Sequence, residues 1–444
     1  MKKNKTFIYL LIGLFFSAGA SADTEKPVSP QPAPPIQTPT ELQRMKDYIK
    51  NRIDPTTITK SLRTTEGRQV DCVAIEKQPA LQNPALKGHV VQRAPHSPVA
   101  FNIENRNAPP IESMTEVLYE FDPANGKLGA ISRCPNGTVP IRSVTLEDVR
   151  RFPTLRDYFA KEPWTSPKTT ALPFGRDPEP LRNGPTDNHQ YAHAYRYVQN
   201  WGAQANINIW SPGIELNTEF SLAQIWVVGG TGGGLQTLEV GVQKYHNLYN
   251  DDRTHLFIYS TQDGYQHTGC YNNSCHDFIQ VSSTLYPGTY FNTVSTYNGT
   301  QYEINVHWFK DMDGGAWWLN VQGQWVGYYP RTLYNTAGVQ NNAAEIDYGG
   351  EIIDNRNLGL HTSTDMGSGH FPGEWYKKAA YIRLLKYNYK TTTNPNTVWS
   401  TESTGLTMTR SDALCYDIQY YSGDANWGSY MFYGGPGYDS VNCR

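Results

Sequence analysis

Charge is scarce in this chain. Only 18% of its 444 residues are Asp, Glu, Lys or Arg, and the formal net charge is −3. That balance leaves no broad basic surface for a nucleic acid. Cysteine is scarce too, with six residues. No CxxC and no HExxH occurs, so the short-spaced ligand pairs of a zinc site are missing and neither a metal nor a cofactor is implied. No GxSxG elbow occurs either; Ser368, between Gly367 and Gly369 and beside His370, reads as part of a turn. The longest apolar run, residues 7–16, is too short to span a bilayer. It follows Lys2, Lys3 and Lys5 and precedes Ala20-Ser21-Ala22. Residues 1–22 therefore read as a signal peptide, which predicts a secreted or periplasmic protein with no membrane segment in its mature form.

What the chain has in quantity is material for strands and turns: 38 Gly, 29 Pro, 30 Tyr and 11 Trp. Proline divides it. Six prolines fall within residues 26–40, so residues 23–40 read as an extended, solvated tether. Six more, at 163, 167, 173, 178, 180 and 185, mark residues 163–187 as an exposed linker. Between them, residues 41–162 read as a small α+β domain. A capping-box pattern at Thr40 predicts a helix to about residue 51. Strand-like runs follow at 68–74, 90–91 and 113–121, and Thr145-Leu146-Glu147-Asp148 reads as another helix start. Residues 188–444 are strands and turns. Runs at 205–210, 220–228, 235–243, 254–261, 277–281, 302–308, 316–321, 324–328, 344–352 and 381–387 have strand composition, with a hairpin turn expected at 311–315. The whole is mostly β, with an antiparallel β-sandwich after the small N-terminal domain.

Six cysteines in an exported chain read as disulfides, with fifteen pairings open in principle. Position narrows them. Cys270 and Cys275 can staple one loop, Cys415 and Cys443 sit together near the C-terminus, and Cys72 and Cys134 remain for the N-terminal half.

Two stretches carry candidate chemistry. In residues 237–243, Leu238, Val240 and Val242 alternate with Thr237, Glu239, Gly241 and Gln243, which is the pattern of a half-buried strand. In residues 346–352, Ile346, Tyr348, Gly350 and Ile352 alternate with Asp347, Gly349 and Glu351. Each stretch has a glutamate two residues from a glycine, and a glycine lets a backbone or ligand come close. Strand glutamates are mostly solvated surface residues. Brought together by a sheet, however, two carboxylates would split their pKa values into one acid and one base. Trp317-Trp318 and the aromatics of 325–329 read either as core packing or as a platform for proline rings or sugars.

Residues 237–280, YGGEI at 348–352, MGSGHFP at 366–372 and YGGPG at 433–437 with the last cysteine resemble the neprosin family of glutamic peptidases, which cleave after proline. Residues 66–89 and 134–152 resemble the activation domain that precedes such enzymes. The resemblance implies that Glu239 and Glu351 are the catalytic pair and that residues 188–444 form the peptidase. It implies that residues 41–162 form an inhibitory pro-domain released by cutting the linker, and that substrates are proline-containing peptides or proteins. Val242 and Ser260 stand where members often carry tryptophan, which puts the subsites in question. The non-enzymatic alternative is an extracellular module that binds proline-rich or glycan polymers through its aromatics.

Overall fold

The structure is a computed structural model that describes residues 30–96, 109–122, 124–161, 188–311, 315–356, 360–390, 397–399, 405–439 and 441–443. The signal peptide, the linker and the centre of the 311–315 turn lie outside the described residues.

The N-terminal unit opens with α1 (Pro39–Arg52). Its cap is Thr38 rather than Thr40: the Thr38 side chain accepts from the Glu41 amide, and Pro39 takes the first helical position, where its missing N–H costs nothing. Then come β1 (Ile58–Arg63), β2 (Gln69–Ala74), α2 (Ile111–Met114), β3 (Tyr119–Asp122), β4 (Lys127–Ile131) and β5 (Thr138–Arg142). The strands form an antiparallel sheet in the order β4-β3-β1-β2-β5. Residues 90–91 form no strand, and the run expected at 113–121 divides into the single turn α2 and β3. Two short helices follow, α3 (Leu146–Arg150) and α4 (Leu155–Phe159), each started by a Thr/Asp capping box. A Cys72–Cys134 bridge closes this unit.

The C-terminal unit runs through β6 (His189–Asn200), β7 (Gly202–Asn208), β8 (Ser221–Gly229), β9 (Gln236–Lys244), α5 (His246–Tyr249), β10 (His255–Thr261), β11 (Cys270–Tyr271) and β12 (Ile279–Gln280). It continues through β13 (Glu303–Lys310), β14 (Trp317–Val321), β15 (Gln324–Tyr329), β16 (Ala343–Ile353), β17 (Ala380–Lys390), β18 (Thr397–Trp399), β19 (Thr407–Arg410), β20 (Asp417–Asp424) and β21 (Gly428–Gly434). Seven strands form one antiparallel sheet, β11-β10-β9-β8-β16-β6-β19, and nine form the other, β12-β15-β14-β13-β7-β17-β21-β20 with β18 on β17. Ile225, Val227, Leu238, Val240 and Ile346 face Ala205, Ile207, Val306, Leu319 and Ile382 across the sandwich core. Bridges join Cys270 to Cys275 and Cys415 to Cys443.

The outer face of the seven-stranded sheet is not solvated. Met45, Val149, Phe152 and Tyr158 of the N-terminal unit pack there against Leu222, Trp226, Phe257, Tyr259 and Tyr271. Burying each such side chain fully is worth about 1.5–3 kcal/mol. Strand β9 is consequently buried on both faces rather than half-buried. The alternation marks two different buried surfaces, one of them made by the chain's own N-terminal unit. Part of the nine-stranded sheet is covered similarly, with Trp318 and Tyr328 against Ile75, Ala80, Leu86 and Val91. Trp317 lies in the sandwich core. The tryptophan pair is therefore packing, not a platform. No helix among the described residues is long and apolar enough to cross a membrane.

Candidate active site

Glu239 lies on β9 and Glu351 on β16, with β8 between them. Register decides what each meets. Glu239 stands opposite Trp226, and Glu351 stands opposite Leu222. Midway on β8, Gln224 has Gly241 on one side and Gly349 on the other. Residues two apart share a sheet face, so both glutamates and Gln224 point the same way. The two glycines let the three strands close up. A Cβ on Gly241 would fall 1.9 Å from the Ala223 carbonyl oxygen, and one on Gly349 would fall 2.3 Å from His193 Cβ. The result is a trough with a glutamine on its floor and a carboxylate at each end.

Each carboxylate is held by partners from its own unit. Glu239 Oε1 accepts from the Tyr265 hydroxyl at 2.6 Å and the Thr237 hydroxyl at 2.9 Å. His189 Nδ1 lies 2.6 Å from Glu351 Oε1, and Gln224 Nε2 donates to Glu351 Oε2 at 2.9 Å. The remaining partner comes from the N-terminal unit. Lys161, two residues past α4, sets its ammonium 2.7 Å from Glu239 Oε2 and 2.7 Å from Glu351 Oε2. The two oxygens are thus no farther apart than twice that distance. The Lys161 amide also donates to the Tyr259 hydroxyl at 3.2 Å, and Nζ lies 5.3 Å from the centre of the Trp226 ring.

All three charged groups are buried, with Glu239 0%, Glu351 1% and Lys161 5% exposed. Burial pushes the Glu351 carboxyl up, but Lys161 and His189 outweigh it and hold it below its ordinary value. Burial pushes the Lys161 ammonium down, and the two carboxylates outweigh that and raise it. Tyr265 is driven well above its ordinary value by burial and by Glu239, so its hydroxyl remains a donor.

The sheet thus brings together the two glutamates singled out in the sequence. It adds Lys161, His189, Gln224, Thr237 and Tyr265, which sequence reasoning missed. Gln224 could have been found by parity, because it shares a face with Trp226 in a strand that was expected. Tyr265 sits in the DGYQHTGC turn with φ of 63°, a conformation that no sequence pattern announces. Val242 and Ser260 do not line the trough. Val242 faces the sandwich core, and Ser260 pairs with Leu238, donating to the Thr237 carbonyl at 2.7 Å. Their departure from tryptophan therefore bears on the core rather than on substrate. Ser368 is a turn residue: its hydroxyl oxygen accepts from the Ala380 amide at 3.1 Å, between Gly367 and Gly369 at positive φ. His361, Cys415 and Cys443 lie at ligand-like spacing, but the disulfide consumes both sulfurs.

A family model described as Neprosin matches residues 217–436, and one described as Neprosin activation peptide matches residues 61–195. The chain belongs to the neprosin family of glutamic peptidases, and it carries that family's activation peptide ahead of the neprosin region. Among solved structures, it is similar to scytalido-glutamic peptidase with a peptide-based transition-state analogue. The identity is 11%, over 56% of this chain and 98% of that one, at a TM-score of 0.28. The same peptidase with a transition-state analogue inhibitor gives 10% identity, the same coverage and 0.30. SCP-B, of the eqolisin family, in complex with the tripeptide Ala-Ile-His gives 10%, the same coverage and 0.26. Likenesses this loose carry nothing over to the site.

Proposed function

We propose that this protein is the secreted zymogen of a glutamic endopeptidase that cleaves on the C-terminal side of proline. Residues 188–444 are the peptidase, residues 41–162 its inhibitor and residues 163–187 the segment cut on activation. One observation carries the reading: two buried carboxylates are held face to face by a single lysine of the activation peptide. With that lysine gone, two neighbouring carboxylates cannot both ionise easily, and they share one proton at acid pH. The ionised glutamate takes a proton from water as the water oxygen bonds to the scissile carbonyl carbon. The protonated glutamate donates to the carbonyl oxygen and stabilises the charge developing there. Collapse of the tetrahedral intermediate breaks the C–N bond, and the proton gained from water passes to the leaving nitrogen. Gln224 and Tyr265 orient the carboxylates throughout. In the zymogen, the Lys161 ammonium pairs with both carboxylates and occupies the place the water needs.

The test is to acidify the full-length protein, add a proline-containing reporter peptide and identify the products by mass spectrometry. Cuts after proline, unaffected by EDTA, are expected. Cuts at other residues would remove the proline specificity, and an activated protein that cuts nothing would remove the hydrolytic reading.

A further inference from the structure

The opposite side of the sandwich carries a second trough, of about 530 Å³, on the outer face of β17 and β21. Its floor is aromatic. Tyr381, Trp427, Tyr430 and Phe432 pack against one another in tilted and T-shaped pairs, with ring centres 4.9 Å apart for Tyr381 and Trp427 and 5.2 Å for Trp427 and Tyr430. Its wall is the loop before β17, which presents Trp375 and Tyr376. These two are 47% and 48% exposed. The backbone is bent to put them there. Trp375 has φ of 66° and ψ of −166°, and Lys377 has φ of 71°. The first combination belongs almost wholly to glycine, and non-glycine residues held there cluster at binding and switch regions. The Trp375 ring lies 5.2 Å from Tyr421 and 5.5 Å from Phe432, centre to centre, and the residue still leaves nearly half of its surface in water.

Polar groups are fixed among the rings. Arg383 makes a two-pronged pair with Glu303, one bond at 2.7 Å, and the Tyr381 hydroxyl donates to the same carboxylate at 3.0 Å. Arg383 also donates to the Asn426 carbonyl at 3.2 Å, and its guanidinium lies 5.6 Å from the centre of the Trp427 ring. Gln301 and Asp424 complete the rim. Among the described residues, none of the activation peptide lines this trough.

We propose that this trough is a glycan-binding site that anchors the protein to polysaccharide. A pyranose offers an apolar C–H face that stacks on an aromatic ring. Its hydroxyls both donate and accept, which matches planar carboxylate, amide and guanidinium groups set side by side. A proline-rich peptide also offers flat rings, but its remaining groups are carbonyl acceptors. Those acceptors would bring no donor to the Asp424 carboxylate, whose Oδ1 accepts from the Asn426 and Trp427 amides.

The experiment is retention of full-length protein on microcrystalline cellulose, chitin and an insoluble xylan, with an immobilised polyproline peptide alongside. Hydrolysis of a soluble reporter is measured on the same preparations after activation. Wild type should be retained on at least one polysaccharide. Trp375→Ala and Tyr376→Ala should each weaken that retention at least tenfold while reporter hydrolysis stays unchanged. Arg383→Lys, which keeps the charge and loses the two-pronged geometry, should weaken it without changing the floor. Retention on none of the three polysaccharides would overturn the proposal. So would undiminished retention of the tryptophan and tyrosine variants, or capture by polyproline in preference to glycan.

Discussion

Lys161 holds two buried carboxylates that would otherwise repel each other, and its own charge is kept by them. Removing one partner of such a buried cluster costs roughly 3–5 kcal/mol, because uncompensated charge is left behind. Lys161→Met should therefore loosen the activation peptide, and the uncut variant should hydrolyse a reporter peptide that uncut wild type leaves intact. Equal latency of the two uncut proteins would show that the lysine is not the lock. Tyr265 is the second residue to test. Its hydrogen bond to a charged oxygen is worth about 1.5–3 kcal/mol, or roughly ten- to a hundredfold in rate. Tyr265→Phe should lower kcat by that factor with little change in KM, and an unchanged kcat would reduce the tyrosine to packing. Strand parity and a neighbouring glycine made the two glutamates candidates, and only the resemblance to the neprosin family singled them out from the other acidic residues. Lys161 was not legible, because nothing in its local sequence distinguishes it from the other lysines, and its partners are reached only through the tertiary fold.

Elements rather than residues decide how the activation peptide leaves. Ion pairs cross the interface at Lys161–Glu351, at Arg68–Asp251 (3.0 Å) and at Glu66–Arg253 (2.5 Å). Asp251 is pushed up by burial, but His255 and Arg68 outweigh that and hold it far below its ordinary value. Glu66 is also lowered: burial opposes the shift, and Thr65 and Arg253 overcome it. Only the parts of these shifts that arise across the interface, from Arg68 on Asp251 and from Arg253 on Glu66, stabilise the docked state above the ordinary carboxylate range, and they are lost as pH falls through the depressed values. Glu116 works the other way. Burial raises it to about 7 despite the hydrogen bond from Tyr286, so it favours docking while protonated and opposes it as pH rises through that value. Docking should thus be weakened at both ends of the pH range. If the linker is nicked at neutral pH by an added protease, the two pieces should co-elute on size exclusion near pH 6 and separate in acid. Arg68→Ala should move the acid separation to higher pH. Pieces that stay together in strong acid, or a variant with the wild-type midpoint, would contradict this account.

At the scale of the whole molecule, composition and turn spacing were enough for an antiparallel sandwich after a small α+β unit. Six strands of the C-terminal unit, β6, β11, β18, β19, β20 and β21, lie outside the expected runs. In β6 the core-facing positions are Ala192 and Ala194, while the other face carries His189, Tyr191, His193 and Tyr195, so no apolar alternation is visible. Strands β19 and β20 are partly exposed sheet edges, and with β21 they are rich in Thr, Tyr, Ser and Gly, where strand composition and turn composition overlap. Nor could the pattern show that one unit caps the other's open face, because a polar face awaiting substrate and a polar face awaiting solvent look alike in one sequence. That cover is what turns an enzyme into a precursor, and it sets the molecule's overall behaviour. On the proposed reading, acid supplies the proton the glutamates share and weakens the ion pairs that hold the cover.

The most direct test of the central claim is self-processing. Pure wild type, Glu239→Gln and Glu351→Gln are acidified, and the new N-termini are sequenced over time. Wild type should shorten by cuts that follow prolines between residues 163 and 185. Both variants should stay full length, be cut when active enzyme is added in trans, and then hydrolyse reporter peptide slower by about 10²–10⁴-fold. Either variant processing itself at the wild-type rate would contradict the dyad.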